Sequence, residues 1–440
     1  MLNRFLKAAC CLAALVATAP FVTAAEDSAA AEAPKAGAQG GPGLAIRTAK
    51  ALVVAPNPED PQYIDNAMIL VKDGKIQEVG RAANIEVPVG YELLDVGSRW
   101  VMPGLVELHC HVGGTGDIND MIYLANPGLS VRGAVLPDNQ ALRVAMGAGV
   151  TTVLFIPGSG TNIGGTGVLV KTGHEKYEDA VLRDPGSLKL AQWGNPESWG
   201  PGVGMSFENF NTRNTFKRGK AYAAAWAAFE EGTGPEPETV LQWEVFKDLV
   251  GNNLPISTHT QMYQVVLTTI TMVKVELGLN VFLDHSTIGG WLTGELAAKH
   301  GVPAIVGPRA IDTISRGMLN WCRNKHEGVR GVAAGYQSLG VDLVGFNTDS
   351  PVLPQEELPM QAAVGVRYGF DDSSLQAVRG LTVVPAITTG VQHRVGSIGV
   401  GLDADLVILD GHPADPRTTV SIVFVDGVKH LDLTEDKRLW

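Results

Sequence analysis

Two histidines one residue apart, His109 and His111, close the largely apolar run Val101-Met-Pro-Gly-Leu-Val-Glu-Leu-His-Cys-His-Val112. In an extended strand, side chains at i and i+2 share a face, so both imidazoles point one way and Cys110 the other. Neutral imidazole is the commonest zinc ligand, and two on one rigid strand make half a metal site. Alone, such a pair is a weak signal, more often core or surface histidines than a metal site. Three further residues of ligand type end strand-like runs later in the chain: His259 after Pro255-Ile-Ser-Thr, His285 after Val281-Phe-Leu-Asp, and Asp349 at the close of Val341 to Asp349. Each has a bland reading, a hydrogen-bonded core histidine or an aspartate capping a helix. Five such residues at strand ends point together to a cation. Two lysines in strand-like runs, Lys189 in Ser-Leu-Lys-Leu-Ala and Lys171 in Val-Leu-Val-Lys-Thr, are costly to bury unless the charge is paired or removed. Reaction with CO2 would make either a carbamate that can bridge two cations; the alternative is a snorkelling lysine or one that binds a substrate carboxylate.

The elements that must position these residues alternate strand, loop and helix. Strand ends are expected at His109–His111, Thr151–Ile156, Gly167–Lys171, Leu188–Gln192, Pro255–His259, Val281–His285, Val302–Gly307 and Val341–Asp349, with helices such as Gln261–Leu277 and Trp291–His300 between them. Repeated β-then-α units predict an α/β fold, a (β/α)8 TIM-like barrel over residues 101–395, with its active site at the carboxyl ends of the strands. A doubly wound open sheet is the rival. Between the second and third strands a Gly-rich loop replaces the helix. Short strands with Asx-Gly turns occur at both ends of the chain, around Asp73-Gly74 and Asp426-Gly427. They predict a small β-sandwich domain built from residues 44–100 and 396–440.

The 440 residues are 45% hydrophobic, enough for a large core, and the net charge of -12 gives no reason to expect nucleic-acid or anionic-membrane partners. Residues 1–25 read as a signal peptide: Arg4 and Lys7, an apolar stretch from Ala8 to Val22, then Thr23-Ala-Ala25. Cleavage is expected near Ala24 or Ala25; a lipobox at Cys10 or Cys11 is the rival, with Lys7 and the short preceding stretch against it. Residues 26–43, rich in Ala, Gly and Pro, read as a flexible linker. The expected destination is the periplasm or the medium, with no membrane contact after cleavage. Cys110 and Cys322 remain, and no structural disulfide is expected. A homo-oligomer stays open.

Pro103-Gly-Leu-Val-Glu-Leu-His-Cys-His, the later His259 and His285, Asn347-Thr-Asp349-Ser-Pro, and Gly399-Val-Gly-Leu-Asp-Ala-Asp-Leu-Val-Ile-Leu-Asp410 resemble the amidohydrolase superfamily from about Leu44 to the end. The nearest branch is imidazolonepropionase-like and Xaa-Pro dipeptidase-like, in an exported form. The resemblance implies one or two divalent ions, zinc first. His109 and His111 would hold the more buried ion, His259 and His285 the outer one. A carboxylated Lys189 would bridge them, and Asp349 would bind an ion and shuttle the proton. Lys171 is kept as a substrate-facing or substitute bridge. Close relatives carry a Glu shortly after the fourth-strand lysine; here the run is Gln192-Trp-Gly-Asn-Pro196.

The chemistry so implied is hydrolysis of an amide, cyclic amide or short peptide by metal-activated water. The loop from Gly158 to Gly167 is not read as a phosphate loop, because a strand rather than a helix follows it. It is expected to line the pocket, with Asn162 approaching the substrate. Tyr263, Arg309, Trp193 and Trp199 are further pocket candidates, and Arg309 could grip a carboxylate. An aminohydrolase that deaminates a heterocycle is the first alternative, but Thr260-Gln-Met-Tyr-Gln264 after His259 lacks the carboxylate that chemistry uses. A metal-free binding protein is the second.

Overall fold

The computed structural model describes residues 42–116, 118–192, 196, 203–308, 311–312 and 330–435. The signal segment, almost all of the linker, Trp193, Trp199, Arg309 and Cys322 lie outside the described residues. Among those described, no helix is long and apolar enough to cross a membrane.

Both chain ends build one sheet. The first half supplies β1 (Gly43–Ala51), β2 (Ile64–Lys72), β3 (Lys75–Arg81), β4 (Tyr91–Asp95) and β5 (Trp100–Pro103). The barrel strands come next: β6 (Leu105–Cys110), β7 (Val150–Phe155), β8 (Ile163–Lys171), β9 (Val181–Ala191), β10 (Ile256–Met262), β11 (Leu283–Ile288) and β12 (Ala304–Val306). A two-residue pair, β13 (Ile311–Asp312) with β14 (Arg330–Gly331), precedes the last barrel strand, β15 (Val344–Phe346). The chain then returns to the terminal sheet with β16 (Leu406–Leu409), β17 (Val420–Val425) and β18 (Val428–Asp432). That sheet runs β18-β17-β16-β5-β1-β2-β3, with β4 on β1. Its two tight hairpins use the expected residues: Asp73 and Gly74 at φ 51° and 74°, Asp426 and Gly427 at φ 49° and 73°. Positive φ at both turn positions matches the right-handed strand twist.

The barrel sheet has eight strands in the order β15-β12-β11-β10-β9-β8-β7-β6. Every residue of β6 and β7 is buried, as expected of barrel strands covered by helices. The 26-residue helix Met205–Glu230 packs on the short helix Val245–Val250 and buries Glu208, Thr212, Thr215, Phe216, Gly219 and Ala223, a stripe at helical spacing. Gly219 is required where it stands, since a Cβ there would lie 2.2 Å from the Phe246 ring.

One expected strand runs the wrong way. β8 is antiparallel to both β7 and β9, with Thr152 opposite Lys171. Parallel neighbours need a crossover of about a dozen residues or more; the short Ile156–Asn162 connection allows only a hairpin. The carboxyl end of β8 therefore lies at the amino-terminal base of the barrel, not at the catalytic rim. Other boundaries shift by a few residues. The expected helix Gln261–Leu277 is an α-helix over Tyr263–Thr269 that widens into π turns over Ile270–Glu276.

Candidate metal centre

Four buried side chains converge at the rim. One ligand atom each from His109, His259, His285 and Asp349 lies within 4.8 Å of all the others. β6 delivers His109, β10 His259 and β11 His285, while Asp349 follows the end of β15. Three backbone positions here lie at positive φ without being glycine: His285 at 70°, Ser286 at 56° and Asp349 at 50°. Such conformations are uncommon for side-chain-bearing residues and persist where surrounding structure fixes them.

The ring orientations follow from hydrogen-bond partners. Nδ1 of His285 lies 2.8 Å from the Gly307 carbonyl and Nδ1 of His111 lies 3.1 Å from that of Ile156, so both nitrogens carry hydrogen. Nδ1 of His109 faces Asp284 Oδ2 at 3.2 Å, although off the ideal hydrogen-bond angle. Each Nε2 lone pair is thereby turned inward. Nε2 of His285 and Nδ1 of His259 stand 3.1 Å apart, and Nε2 of His109 is 3.5 Å from Asp349 Oδ1. His111 joins from the edge, its Nε2 3.3 Å from the same oxygen. Burial first, then cationic neighbours, holds His109 and His259 well below the ordinary histidine range, so these rings stay neutral. Burial alone would raise the Asp349 carboxyl, but the facing histidines keep it low and ionised. Inward lone pairs beside a carboxylate are the donor set of a divalent cation, and these residues fit one.

Lys189, on β9, is fully buried with its ammonium nitrogen 2.9 Å from His109 Nε2. Burial brings its pKa down to about 8, only partly opposed by Asp284 and Asp349. Neutral amine, the form that reacts with CO2, is thus accessible near neutral pH.

Lys171 does not join this group. Its ammonium, also fully buried, contacts Asp405 at 3.1 Å, Asp403 at 2.6 Å and Asp426. These carboxylates outweigh burial and raise its pKa. The expectation that it bridges cations or meets substrate is corrected: the reversal of β8 carries it to the base, where it joins the barrel to the terminal sheet. Asn162 is also internal. Its Nδ2 donates to the Ala191 carbonyl at 2.7 Å and its Oδ1 accepts from Asn211 and Thr212, so it braces the Gly-rich loop against β9 and the long helix. The loop is glycine-rich because another segment lies on it: a Cβ on Gly160 would meet Asn119 at 2.5 Å. Tyr263 sits half-buried just past β10 and beside Gly289, at the rim.

Two carboxylates escaped the sequence reading. Asp284 faces His109 from the residue before His285, and burial pushes its carboxyl well up, with Lys189 pulling the other way. Glu107 is fully buried and accepts from the backbone N–H of His109 at 2.9 Å, and from Thr348 N and Oγ1 at 2.9 and 2.8 Å. Burial pushes its carboxyl up, while those three donors oppose the rise and favour the carboxylate. The available signal was charge inside runs that are otherwise apolar, Leu-Val-Glu-Leu-His and Phe-Leu-Asp-His.

The sequence model of the amidohydrolase family matches residues 100–431. The chain is 25% identical over 412 residues to amidohydrolase tasK of Hapsidospora irregularis, a match that covers 83% of this chain but spans only 40% of that protein. It is 22% identical over 381 residues to an imidazolonepropionase of Thermoplasma acidophilum, covering 81% of this chain and 85% of the relative. Among solved structures, the amidohydrolase from Thermotoga maritima superposes with a TM-score of 0.76 at 27% identity, over 88% of this chain and all of the other.

Proposed function

The chain belongs to the amidohydrolase family, and on that premise we propose that it hydrolyses an amide, peptide or cyclic amide C–N bond with metal-activated water and Asp349 as proton shuttle. The observation that carries this reading is the convergence of His109, His259, His285 and Asp349 within 4.8 Å, buried at the strand-end rim. Three imidazoles and a carboxylate suit zinc best. When bound, the ion would lower the pKa of its water toward roughly 7 and polarise the scissile carbonyl.

The protein's own residues do the rest. Outer partners Gly307 O, Ile156 O and Asp284 orient the imidazoles. Asp349, ionised and 90% removed from solvent at its side chain, can take a proton from water and return it to the leaving nitrogen. A carbamate on Lys189, formed from its neutral amine and CO2 with release of a proton, would add an anionic oxygen beside His109. Small molecules or short peptides are the substrate class. Deamination is disfavoured by the sequence after His259, which has no carboxylate through Gln264. We assign residues 1–25 to an export signal, tested by the amino-terminal sequence of the protein recovered from periplasm or medium.

Metal analysis of the purified protein, together with a panel of N-acyl amino acids, dipeptides and lactams, tests the reading. Zinc near stoichiometry with turnover of one class supports it; ammonia release from heterocycles, or no bound metal, overturns it. Asp349→Asn should retain most metal and lower kcat by about 10²–10⁴-fold. Undiminished turnover in that variant removes the shuttle role.

A further inference from the structure

The barrel is nearly closed, yet β15 and β6 are not paired as ladder neighbours in its sheet. At this seam stand two of the four converging residues, His109 on one side and Asp349 on the other. The backbone links them through an isolated bridge between Cys110 and Ser350, with His111 N–H donating to the Ser350 carbonyl at 2.9 Å. Below that bridge a side chain takes the place of ladder bonds. Glu107 divides its two oxygens: Oε1 accepts from His109 N–H at 2.9 Å, and Oε2 accepts from both Thr348 N–H and Thr348 Oγ1 at 2.9 and 2.8 Å. Glu107 and Thr348 are fully buried, so water offers no substitute partner.

We propose that Glu107 is a positioning residue that clasps the barrel seam and thereby sets the separation of His109 from Asp349, tuning cation affinity at the rim. It touches neither substrate nor cation and acts through the two backbone amides it holds. Each amide is at or next to a converging residue, and Asp349, the residue after Thr348, occupies a left-handed backbone conformation. Three donors facing one side chain require two acceptor oxygens. A glutamine in the same place has one oxygen and one NH2, so at one end a donor would face a donor. The seam would open there, and an outer partner lost in this way typically costs about 10–100-fold in metal affinity.

This inference rests on the metal-centre reading, and the test separates the two. The full chain is stripped of metal and titrated with zinc against a competing chelator, as wild type, Glu107→Gln, Thr348→Val and Thr348→Ser. Cobalt-substituted samples report ligand geometry by visible absorption. Expected are zinc affinity at least tenfold weaker with an altered cobalt spectrum in Glu107→Gln, a smaller loss in Thr348→Val, and near wild-type behaviour in Thr348→Ser, which keeps the hydroxyl. Should Glu107→Gln fail to fold, the contrast between the two Thr348 variants decides. Unchanged zinc affinity and spectrum in Glu107→Gln and Thr348→Val overturn the proposal, even if Tm falls, because the clasp would then serve stability alone. A wild-type chain that binds no zinc sinks the metal-centre reading itself.

Discussion

Two lysines are equally buried in the barrel wall, and the two ends of the barrel treat them in opposite ways. At the base, Lys171 is surrounded by Asp403, Asp405 and Asp426 and stays charged. At the rim, Lys189 lies 2.9 Å from His109 Nε2, and burial, only partly opposed by Asp284 and Asp349, drives it toward the neutral amine. Residue type and exposure are the same; only the company differs. A lysine ringed by carboxylates keeps its charge, whereas one buried beside an imidazole gives up its proton more readily.

The contrast can be broken from either side. The largest expected effect is at the base: Lys171→Met leaves the facing carboxylates short of a buried cation and should cost about 3–5 kcal/mol of folding free energy. Calorimetric Tm measures it, while the specific activity of folded protein at low temperature should hold. If stability is unchanged, the base cluster is not the joint described. Next comes Lys189→Ala, for which metal occupancy should fall about 10–100-fold with activity following, and short-chain carboxylic acids should restore part of both. Restoration in a Lys171 variant instead would exchange the two roles.

The smallest effect is in pH dependence. In metal-free protein, Lys189 titrates near 8 when folded and at its ordinary value of 10.5 when unfolded. Between those values the unfolded chain binds the extra proton, so this group makes stability rise with pH. Lys171, shifted upward, contributes stability that is fully present below 10.5 and lost only above it. Urea midpoints of metal-free wild type should therefore climb from pH 8 to about 10, and those of Lys189→Met should climb less. Equal slopes would place the lysine outside the apolar environment described.

Much of this was legible in the sequence for physical reasons. Histidines two apart on an apolar strand must share a face, and Asp-Gly pairs between apolar runs must turn, so the rim residues on β6 and both hairpins of the terminal sheet could be placed in advance. β8 could not be placed by its composition, because Val-Leu-Val-Lys reads alike in either direction. The length of the preceding connection held the answer, and weighing it would have moved Lys171 to the base. Glu107 and Asp284 were passed over because strand period assigns a face, not a partner. Thr348 lies 241 residues from Glu107, and no local rule links them.

The base cluster also bears on the order in which the chain can mature. Lys171 precedes Asp405 by 234 residues, and Asp403 and Asp426 follow it at comparable distance in the chain. Until they arrive, a nascent barrel would have to enclose a bare cation, which disfavours early closure. Arrival of the segment that carries Asp403, Asp405 and Asp426 therefore acts as a checkpoint, and chains that stop short of Asp403 should present themselves to chaperones and proteases rather than persist as half-finished hydrolases.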